Sequence, residues 1–598
     1  MAQKKFSTTD RFGGYRTKTD ETNLESNGFL VSGSQNVVST DGDTVAIRGG
    51  YTIYGRAKTG NYPIQGSYEW KTHRGTELAL RSFDDELEVY SSNDGDWIRL
   101  GNTFTAVDFQ FAEYWDTAEA QDLLLFVNGT SNIYSWSGGM TTYASSTVNT
   151  ITKEGSTTWG AEGFLTTGTR SVIIGGITYA YTGGEGTTTL TGVTPDPTAG
   201  GHTAGDTVIQ AVRTTATTPA SGFNNDIIAV LDNQVYVGSN SHRDIYKSVV
   251  DNFASYSFSS PRLVGEGAVL TLDQTPTAFI PQEEVMNISA GKDFWYTTVF
   301  ELSDDLTKES VSVKRLKTNP GQAALQQSAV GYMKNYVAFI SNEPTLDILG
   351  RLESIDTIQS KPLSDPIKPD FDSYDFTGAH IRYFKNNLYI TVPVESKLLV
   401  YNVERGFWEP PWTLPAGRLA EIGGELYLHS NSVDETYKLF QGNSDYSSAE
   451  ADVLPINAIA RFNYMNGGAR AIKKAHDEWF SEGYISPNTT LNLDLYYDYA
   501  GSEGTVTKQI TGTLEQDTIF ALFDDWSLGK HKLGAGKHGG DGSASNRNKF
   551  RIVHEMPLNY YFEIQPQYSS YDTDQYWEIL SYGSNMSAAN DEGGETKQ

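Results

Sequence analysis

The chain has 598 residues, a formal net charge of -29 from 45 Lys and Arg against 74 Asp and Glu, and no cysteine. The length excludes one small module, and so acidic a chain is unsuited to reading DNA by neutralising phosphates. Without cysteine, disulfides, thiolate metal sites and thiol nucleophiles are excluded. With 12% aromatic residues, 35 Tyr and 58 Gly, the composition is typical of strands joined by tight turns, which predicts an all-β fold.

The N-terminus MAQKKFSTTD carries two lysines but no apolar segment, and no stretch of the chain approaches 18 apolar residues. Neither a secretory signal nor a membrane span is therefore expected. We expect a protein made in the cytoplasm, with no membrane segment.

Short runs of alternating apolar and polar residues, bounded by turn dipeptides, recur along most of the chain. This pattern predicts antiparallel hairpins. The clearest pairs are 87–90 with 97–100, joined by Asn93-Asp94-Gly95, and 123–127 with 132–136, joined by Asn128-Gly129.

A weaker repeat consists of a turn followed by apolar-Tyr-apolar. It occurs at 232–237, 386–390 and 423–428, and residues 396–408 have the pattern of an outer hairpin. Repeated four-stranded units of this kind predict a β-propeller.

The composition changes between about 140 and 220, with 20 Thr and only eight charged residues in 151–220. The apolar residues Trp159, Phe164, Val172, Ile174 and Val208 favour a small inserted β-barrel or sandwich over the alternative, a disordered Thr/Gly linker.

Longer alternating runs after about 445, such as 491–496 and 576–580, predict a C-terminal β-sandwich. Residues 471–480 could form a helix, but their neighbours favour a strand. The predicted organisation is a propeller in two parts, 1–139 and 223–445, an inserted domain at 140–222, a sandwich platform at 446–586 and a frayed tail at 587–598.

The run Gly534-Ala535-Gly536-Lys537-His538 lacks the first Gly and the Ser or Thr of a phosphate-binding loop. We interpret it as a basic hairpin tip that could contact an acidic neighbour. The residues of this basic contact loop are Lys530, His531, Lys532, Lys537 and His538.

No motif supports catalysis. Adjacent acidic residues on a strand point to opposite faces and so do not form a glycosidase pair, and Asp41-Gly42-Asp43 lacks the rest of a calcium loop. There is no His-Glu-x-x-His motif and no Gly-x-Ser-x-Gly elbow. The sequence predicts a protein that is not an enzyme and holds no cofactor or metal.

Residues 36–52 contain an Asn-Val strand, a turn and Arg48-Gly49-Gly50-Tyr51, and they resemble the segment that opens the propeller in tail proteins of bacteriophages. Three later runs are similar to elements of the same family in the same order: 294–302 (FWYTTVFEL), 335–349 (NYVAFISNEPTLDIL) and 398–408. The Thr/Gly-rich insert is also typical of such virion proteins. The chain thus resembles the tail nozzle, or tail-tubular and stabilisation, proteins of short-tailed bacteriophages over most of its length.

The resemblance implies a structural virion protein in a six-fold homo-oligomeric ring at the distal end of the tail. Its partners would be portal and adaptor proteins, tail fibres or spikes, and DNA that passes without sequence-specific binding. A passage for DNA should avoid phosphate-binding cations, so we expect acidic turn residues to face it. The candidates are Asp84, Asp85, Asp304 and Asp305.

Two other functions remain open at this point. One is a secreted glycan-binding or glycan-cleaving propeller, which the missing signal peptide and carboxylate motif disfavour. The other is a tail fibre or adhesin, which the missing short-period fibrous repeat disfavours.

Overall fold

The computed structural model of the chain consists almost entirely of antiparallel β-strands. The predicted all-β class is confirmed. The residues that the structure describes are 5–9, 12–19, 28–40, 44–57, 59–101, 104, 108–117, 119–168, 170–215, 219–260, 262–282, 285–301, 309–316, 323–333, 336–349, 362–447, 452–466, 473–487, 489–498, 505–511 and 548–588.

The first strands divide between two parts of the molecule. They are β1 (Lys5–Thr9), β2 (Val37–Ser39), β3 (Val45–Ile47) and β4 (Tyr51–Ile53). Strands β1 and β3 pair with the C-terminal strand of the chain and β2 pairs with β3, whereas β4 pairs with a strand near residue 438.

The next strands form the first two blades of a propeller and the insert. Blade 1 contains β5 (Ile64–Lys71), β6 (Glu77–Phe83), β7 (Glu86–Ser91) and β8 (Asp96–Arg99). Blade 2 begins with β9 (Gln110–Asp116), β10 (Gln121–Val127) and β11 (Ile133–Trp136). The insert contains β12 (Met140–Thr147), β13 (Thr150–Lys153), β14 (Ser171–Ile174), β15 (Ile177–Ala180), β16 (Thr189–Thr191) and β17 (Thr207–Gln210), and β18 (Arg213–Thr215) then completes blade 2.

Five more blades follow in chain order. Blade 3 contains β19 (Ile227–Leu231), β20 (Gln234–Gly238), β21 (Asp244–Lys247) and β22 (Ala268–Thr271), and blade 4 contains β23 (Pro276–Gln282), β24 (Val285–Ala290), β25 (Asp293–Glu301) and β26 (Glu309–Arg315). Blade 5 contains β27 (Val330–Met333), β28 (Tyr336–Ile340) and β29 (Leu346–Leu349). Blade 6 contains β30 (Ile381–Phe384), β31 (Asn387–Val392), β32 (Lys397–Asn402), β33 (Phe407–Trp408) and β34 (Trp412–Thr413), and blade 7 contains β35 (Ala416–Ile422), β36 (Glu425–Ser430), β37 (Thr436–Leu439) and β4.

The blades form a closed ring. The first strand of one blade packs against the first strand of a neighbouring blade in the pairs β5–β9, β9–β19, β19–β23, β27–β30 and β30–β35, and β35 packs against β5 to close the circle. Blades 4 and 5 meet through one apolar cluster that includes Ala278 and Val337. The first strands therefore surround the axis of a seven-bladed β-propeller.

The repeated turn-Tyr pattern marks equivalent places in three blades. The turn before β20 is Asp232-Asn233, the turn before β31 is Lys385-Asn386 and the turn before β36 is Gly423-Gly424; all six residues have positive φ. Two positive φ angles are what a two-residue hairpin turn requires, so the turns predict where the first strand of each blade reverses into the second.

The insert is a small barrel with its own core. Its sheet order is β15-β14-β17-β12-β13-β16, and the bridges Ala180–Thr194 and Gly183–Thr191 bring the two edges together. Trp159, Phe164 and Val172 lie in its buried cluster. Strand β18, which falls inside the predicted 140–222 segment, belongs to blade 2 because it pairs with β11.

The remaining strands form a separate two-stranded hairpin, β38 with β39, and a two-sheet platform. They are β38 (Asp445–Ser447), β39 (Asp452–Leu454), β40 (Ala458–Arg461), β41 (Lys474–Ile485), β42 (Thr490–Tyr497), β43 (Thr505–Thr511), β44 (Asn548–Tyr561), β45 (Ile564–Ser570) and β46 (Trp577–Ala588). One sheet has the order β2-β3-β46-β41-β44 with β1 beside β46, and the other has the order β40-β45-β42-β43. Residues 474–480 lie in β41, so the strand interpretation of 471–480 is confirmed there.

The platform contains both ends of the described chain, so the predicted propeller segment 1–139 is divided. Strands β1 to β3 belong to the platform because they pair with β46 or with one another, and the propeller begins at β4. Between them a Cβ at Gly50 would lie 1.8 Å from the carbonyl oxygen of Ser444, so this crossing requires glycine.

Helices are short. The described residues contain one α-helix, α1 (Lys368–Phe371), and four 3-10 turns at Gly160–Glu162, Pro197–Gly200, Gln327–Ala329 and Asp365–Ile367. Within the described ranges, no helix has the length and apolar character needed to cross a membrane.

Candidate functional site

The first strands of the blades bring half-buried polar side chains to the propeller axis. Glu69 lies on β5 of blade 1, Arg382 on β30 of blade 6 and Glu421 on β35 of blade 7. The Arg382 guanidinium forms ion pairs with the Glu69 and Glu421 carboxylates, and the Glu421 backbone N–H donates to Glu69. We call Glu69, Arg382 and Glu421 the axial cluster.

The axial cluster joins blades that are not neighbours in the ring. Arg382 reaches Glu69 past the intervening strand β35, so the side chains of three blades meet at one level of the axis. Burial raises the pKa of Glu69 to about 8, even though the Arg382 guanidinium favours the charged form. The Glu69 carboxyl accepts from both the Arg382 guanidinium and the Glu421 backbone N–H.

A second pair lies between blades 1 and 2. The Tyr68 hydroxyl donates to the Glu113 carboxylate at 3.1 Å, and the Tyr68 ring stacks on Phe111 with centroids 5.3 Å apart. Burial raises the pKa of both Tyr68 and Glu113. Because Tyr68 and Glu69 are adjacent on a strand, they point to opposite faces of β5, so this pair and the axial cluster are separate.

Tyr332 on β27 of blade 5 also marks the axis. Its side chain is 52% exposed, yet desolvation raises its pKa. Like Glu69 and Arg382, it lies on the first strand of its blade.

These side chains can hold the first strands of the blades in position and fill the centre of the ring. The axial cluster offers carboxylates and one guanidinium that already satisfy one another. Across the described ranges, no group of three or more His, Asp or Glu side chains is placed to hold a metal ion.

Two of the predicted channel residues lie in a turn. Asp84 and Asp85 join β6 to β7 in blade 1; Asp84 is exposed with φ of 49°, and the Asp85 carbonyl accepts from the Phe104 N–H at 2.9 Å. Asp tolerates this left-handed conformation better than most residues, so the turn explains Asp84 locally. That these carboxylates face a DNA passage depends on an assembly and stays a prediction.

The other predicted site residues lie outside the described ranges. These are Asp304 and Asp305 of the acidic set, and Lys530, His531, Lys532, Lys537 and His538 of the basic contact loop.

The axial residues were missed by sequence reasoning. Glu69 stands between Tyr68 and Trp70 in the strand IQGSYEWK, and Glu421 stands between Ala420 and Ile422 in AGRLAEI, each as a charged residue with apolar or aromatic neighbours. That signal indicates a half-buried carboxylate, but only the register of the blades around the ring shows that the two meet at the axis.

Comparison with known proteins gives structural likeness only. No family model and no curated protein matches the chain. Solved structures with similar parts include the computationally designed Ika8 protein (9% identity, TM-score 0.32, 65% of this chain and 99% of that chain) and YCF48 from Cyanidioschyzon merolae (8% identity, TM-score 0.32, 65% and 98%). BamB from Moraxella catarrhalis is also similar (9% identity, TM-score 0.27, 73% and 100%). The propeller is defined by the chain's own seven sheets and their closed order.

Proposed function

We propose that this chain is a structural virion protein and that several copies of it form the nozzle ring of a short bacteriophage tail. The family resemblance implies six copies. The proposal joins the sequence resemblance to one structural observation, the long edge strand of the platform. The ring would surround the path of DNA at ejection and attach to adaptor, portal and fibre or spike proteins.

The edge strand that carries the proposal is β44. It has 14 residues and pairs with β41 on one side; among the described strands none pairs with its other side. Arg551, Val553 and Glu555 lie on one face of this strand and are exposed, Val553 by 57%. A long open edge promotes pairing with another chain, and identical copies that pair head to tail form a ring when the rotation between them closes.

The propeller axis is not the DNA path in this proposal. Arg382 of blade 6 contacts Glu69 of blade 1 across the axis. The major groove of a DNA duplex alone is about 12 Å wide, so a duplex cannot pass between side chains that touch. The passage must lie between copies, which is why the function requires an oligomer.

The charge of the chain is consistent with such a passage. With a net charge of -29 per chain, the surfaces of neighbouring copies attract few DNA phosphates. Each Lys–phosphate contact that is absent lowers the affinity for DNA and the friction on its passage. We also expect the protein to act without catalysis or a cofactor, as a wall and an attachment point.

Two measurements test the proposal. Native mass spectrometry of the purified full chain, alone and with tail components, should show a closed oligomer, with six copies as the expected number. Gold-labelled antibody against the chain should bind at the distal end of the tail in virions of the source phage. Label on the capsid, or no chain in the particle, would contradict the proposal.

A further inference from the structure

The seven interfaces between blades are not alike. Among the described residues, six are filled by buried apolar clusters. Those clusters join blades 1–2, 2–3, 3–4, 4–5, 5–6 and 6–7. The seventh, between blades 7 and 1, is the one that closes the ring, and no apolar cluster of the described residues spans it. We call it the seam.

The seam is held largely by polar side chains, beside a ring contact between the buried Trp97 of blade 1 and His429 of blade 7 at 6.0 Å between centroids. Ser67 of β5 shares a 2.9 Å hydrogen bond with the Nε2 atom of His429 on β36, and the His429 Nδ1 atom lies 2.8 Å from the Thr436 hydroxyl. Arg81 of β6 donates to the same Thr436 hydroxyl at 3.0 Å. The Arg418 Nε atom of β35 donates to the Gln65 carbonyl at 2.7 Å.

Charged groups are buried along this interface. Arg81 and Glu88 of blade 1 form an ion pair at 2.8 Å with side chains 0% and 2% exposed. Burial, with the nearby Arg81 and Arg418 charges, lowers the pKa of His429 to about 3, so the imidazole is neutral. The Oε1 atom of Gln65 is buried and accepts no hydrogen bond from the described residues.

Strand alternation explains why one blade has two different faces. In blade 1, Leu78, Leu80, Leu87 and Val89 point into the cluster shared with blade 2. The residues between them, including Arg81 and Glu88, point the other way, toward blade 7. In blade 7, Leu426 and Leu428 pack on blade 6, while His429 faces blade 1.

The chain itself crosses the seam at the outer side of the ring. Residues 54–63 run from β4 in blade 7 to β5 in blade 1, and Tyr54 in this connection stacks on Tyr90 at 4.2 Å and contacts Tyr427 at 4.5 Å between centroids. Strand β4 itself has only three residues. Blades 7 and 1 are thus tethered by the chain, and polar contacts together with these few aromatic rings hold their faces together.

We propose that the seam is the place where this propeller ring opens, with blades 7 and 1 separating reversibly while the six apolar interfaces stay packed. Separating apolar faces exposes them to water at a cost of about 25 cal/mol per Å². Polar groups that part can bond to water instead, so the net contribution of each hydrogen bond is only about 1 kcal/mol. Local opening is expected where buried apolar contact is least. This proposal does not depend on the nozzle function.

Cysteine labelling tests the proposal directly, because the chain has no cysteine of its own. Ala420→Cys on β35 is the seam reporter: Ala420 is 1% exposed and shares the strand face of Arg418. Ala278→Cys on β23 is its matched control, since Ala278 is 0% exposed on the first strand of blade 4 and lies in the apolar 4–5 interface.

Under native conditions we expect the thiol at 420 to react with a maleimide at least tenfold faster than the thiol at 278. Equal rates at the two positions would overturn the proposal. Hydrogen exchange on the unaltered chain gives an independent readout if a variant misfolds. The Glu421 amide, which donates across the seam to Glu69, should then exchange at least tenfold faster than the Phe279 amide, which donates to Gln327 between blades 4 and 5, and equal protection would also overturn it.

Discussion

Arg48 and Asp445 form a bidentate ion pair between positions 397 residues apart, with Nη1–Oδ1 and Nη2–Oδ2 distances of 2.8 and 2.6 Å. The Arg48 side chain is 1% exposed, and its Nε atom donates to Asn36 at 3.0 Å. Asn36 in turn accepts from the Thr413 N–H and donates to the Asn457 carbonyl, both at 2.8 Å. This network joins the start of the platform, blade 6 and the exit from the propeller at one point.

Breaking that pair should destabilise the whole molecule. We expect Arg48→Met to lower the free energy of unfolding by about 3–5 kcal/mol, because it leaves the Asp445 carboxylate without its partner. Urea unfolding measures the loss. Lys71→Met is the control: Lys71 pairs with Glu77 at 3.1 Å, but the two side chains are 72% and 50% exposed, so the change should be below about 1 kcal/mol. Similar losses in both variants would show that the Arg48 junction contributes no more than a surface pair.

Glu409 should make stability depend on pH. Its carboxylate accepts from the Ser39 N–H at 2.9 Å between blade 6 and the platform, and burial raises its pKa from 4.5 to about 8. Between pH 4.5 and 8 the folded chain holds a proton that the unfolded chain releases, so the free energy of unfolding falls as pH rises through this window. Glu409→Gln should remove that part of the slope when urea midpoints are compared at pH 5, 6.5 and 8.

The control for this effect is Glu404→Gln in the same blade, because Glu404 is exposed. It should leave the pH dependence of the unfolding midpoint unchanged. If Glu409→Gln has the same slope as the unaltered chain, then the Glu409 carboxyl is not held protonated in the fold.

The edge strand β44 should control assembly rather than folding. Val553→Lys places a charge on the exposed face of this edge strand, and lysines on edge strands oppose pairing with another chain. We expect the urea midpoint to stay the same and the oligomer to dissociate to lower mass. Val148→Lys is the matched control on the insert, where Val148 is 67% exposed at a hairpin tip. A full-size oligomer for Val553→Lys would show that this edge is not the contact between copies.

The insert should be removable without loss of the propeller. The Gln210 N–H donates to the Gly139 carbonyl at 2.7 Å, so a two-residue Gly-Ser link can replace 140–210. We expect a cooperative unfolding transition with a loss of about 2–5 kcal/mol, since Ile209 contributes to the cluster of blades 1 and 2. A longer deletion of 140–224 removes β18 and the buried Phe223 and should yield a chain that aggregates. If the two deletions behave alike, the boundary between the insert and blade 2 lies elsewhere.

Local pattern was enough to predict strands, hairpins and the class of fold. The alternation of Leu491, Leu493 and Leu495 puts all three on one buried face, and the turns at 232, 386 and 423 reverse the chain at corresponding places in three blades. Such features depend on neighbours within a few residues, through side-chain period and turn conformation. The propeller, its inserted β-domain and its C-terminal platform were therefore predictable.

Pairings between distant segments were not predictable from the local pattern. The alternation in 86–91 separates Leu87 and Val89 from Glu88, and alone it indicates a polar face turned to water. In the ring that face is buried against blade 7, where Glu88 is 1% exposed. Likewise β3 pairs with β46 more than 500 residues away. The side-chain period within a strand determines which side chains share a face. Closure of the ring and pairing of the two chain ends determine what each face contacts. Only the tertiary structure therefore places Glu69 beside Arg382.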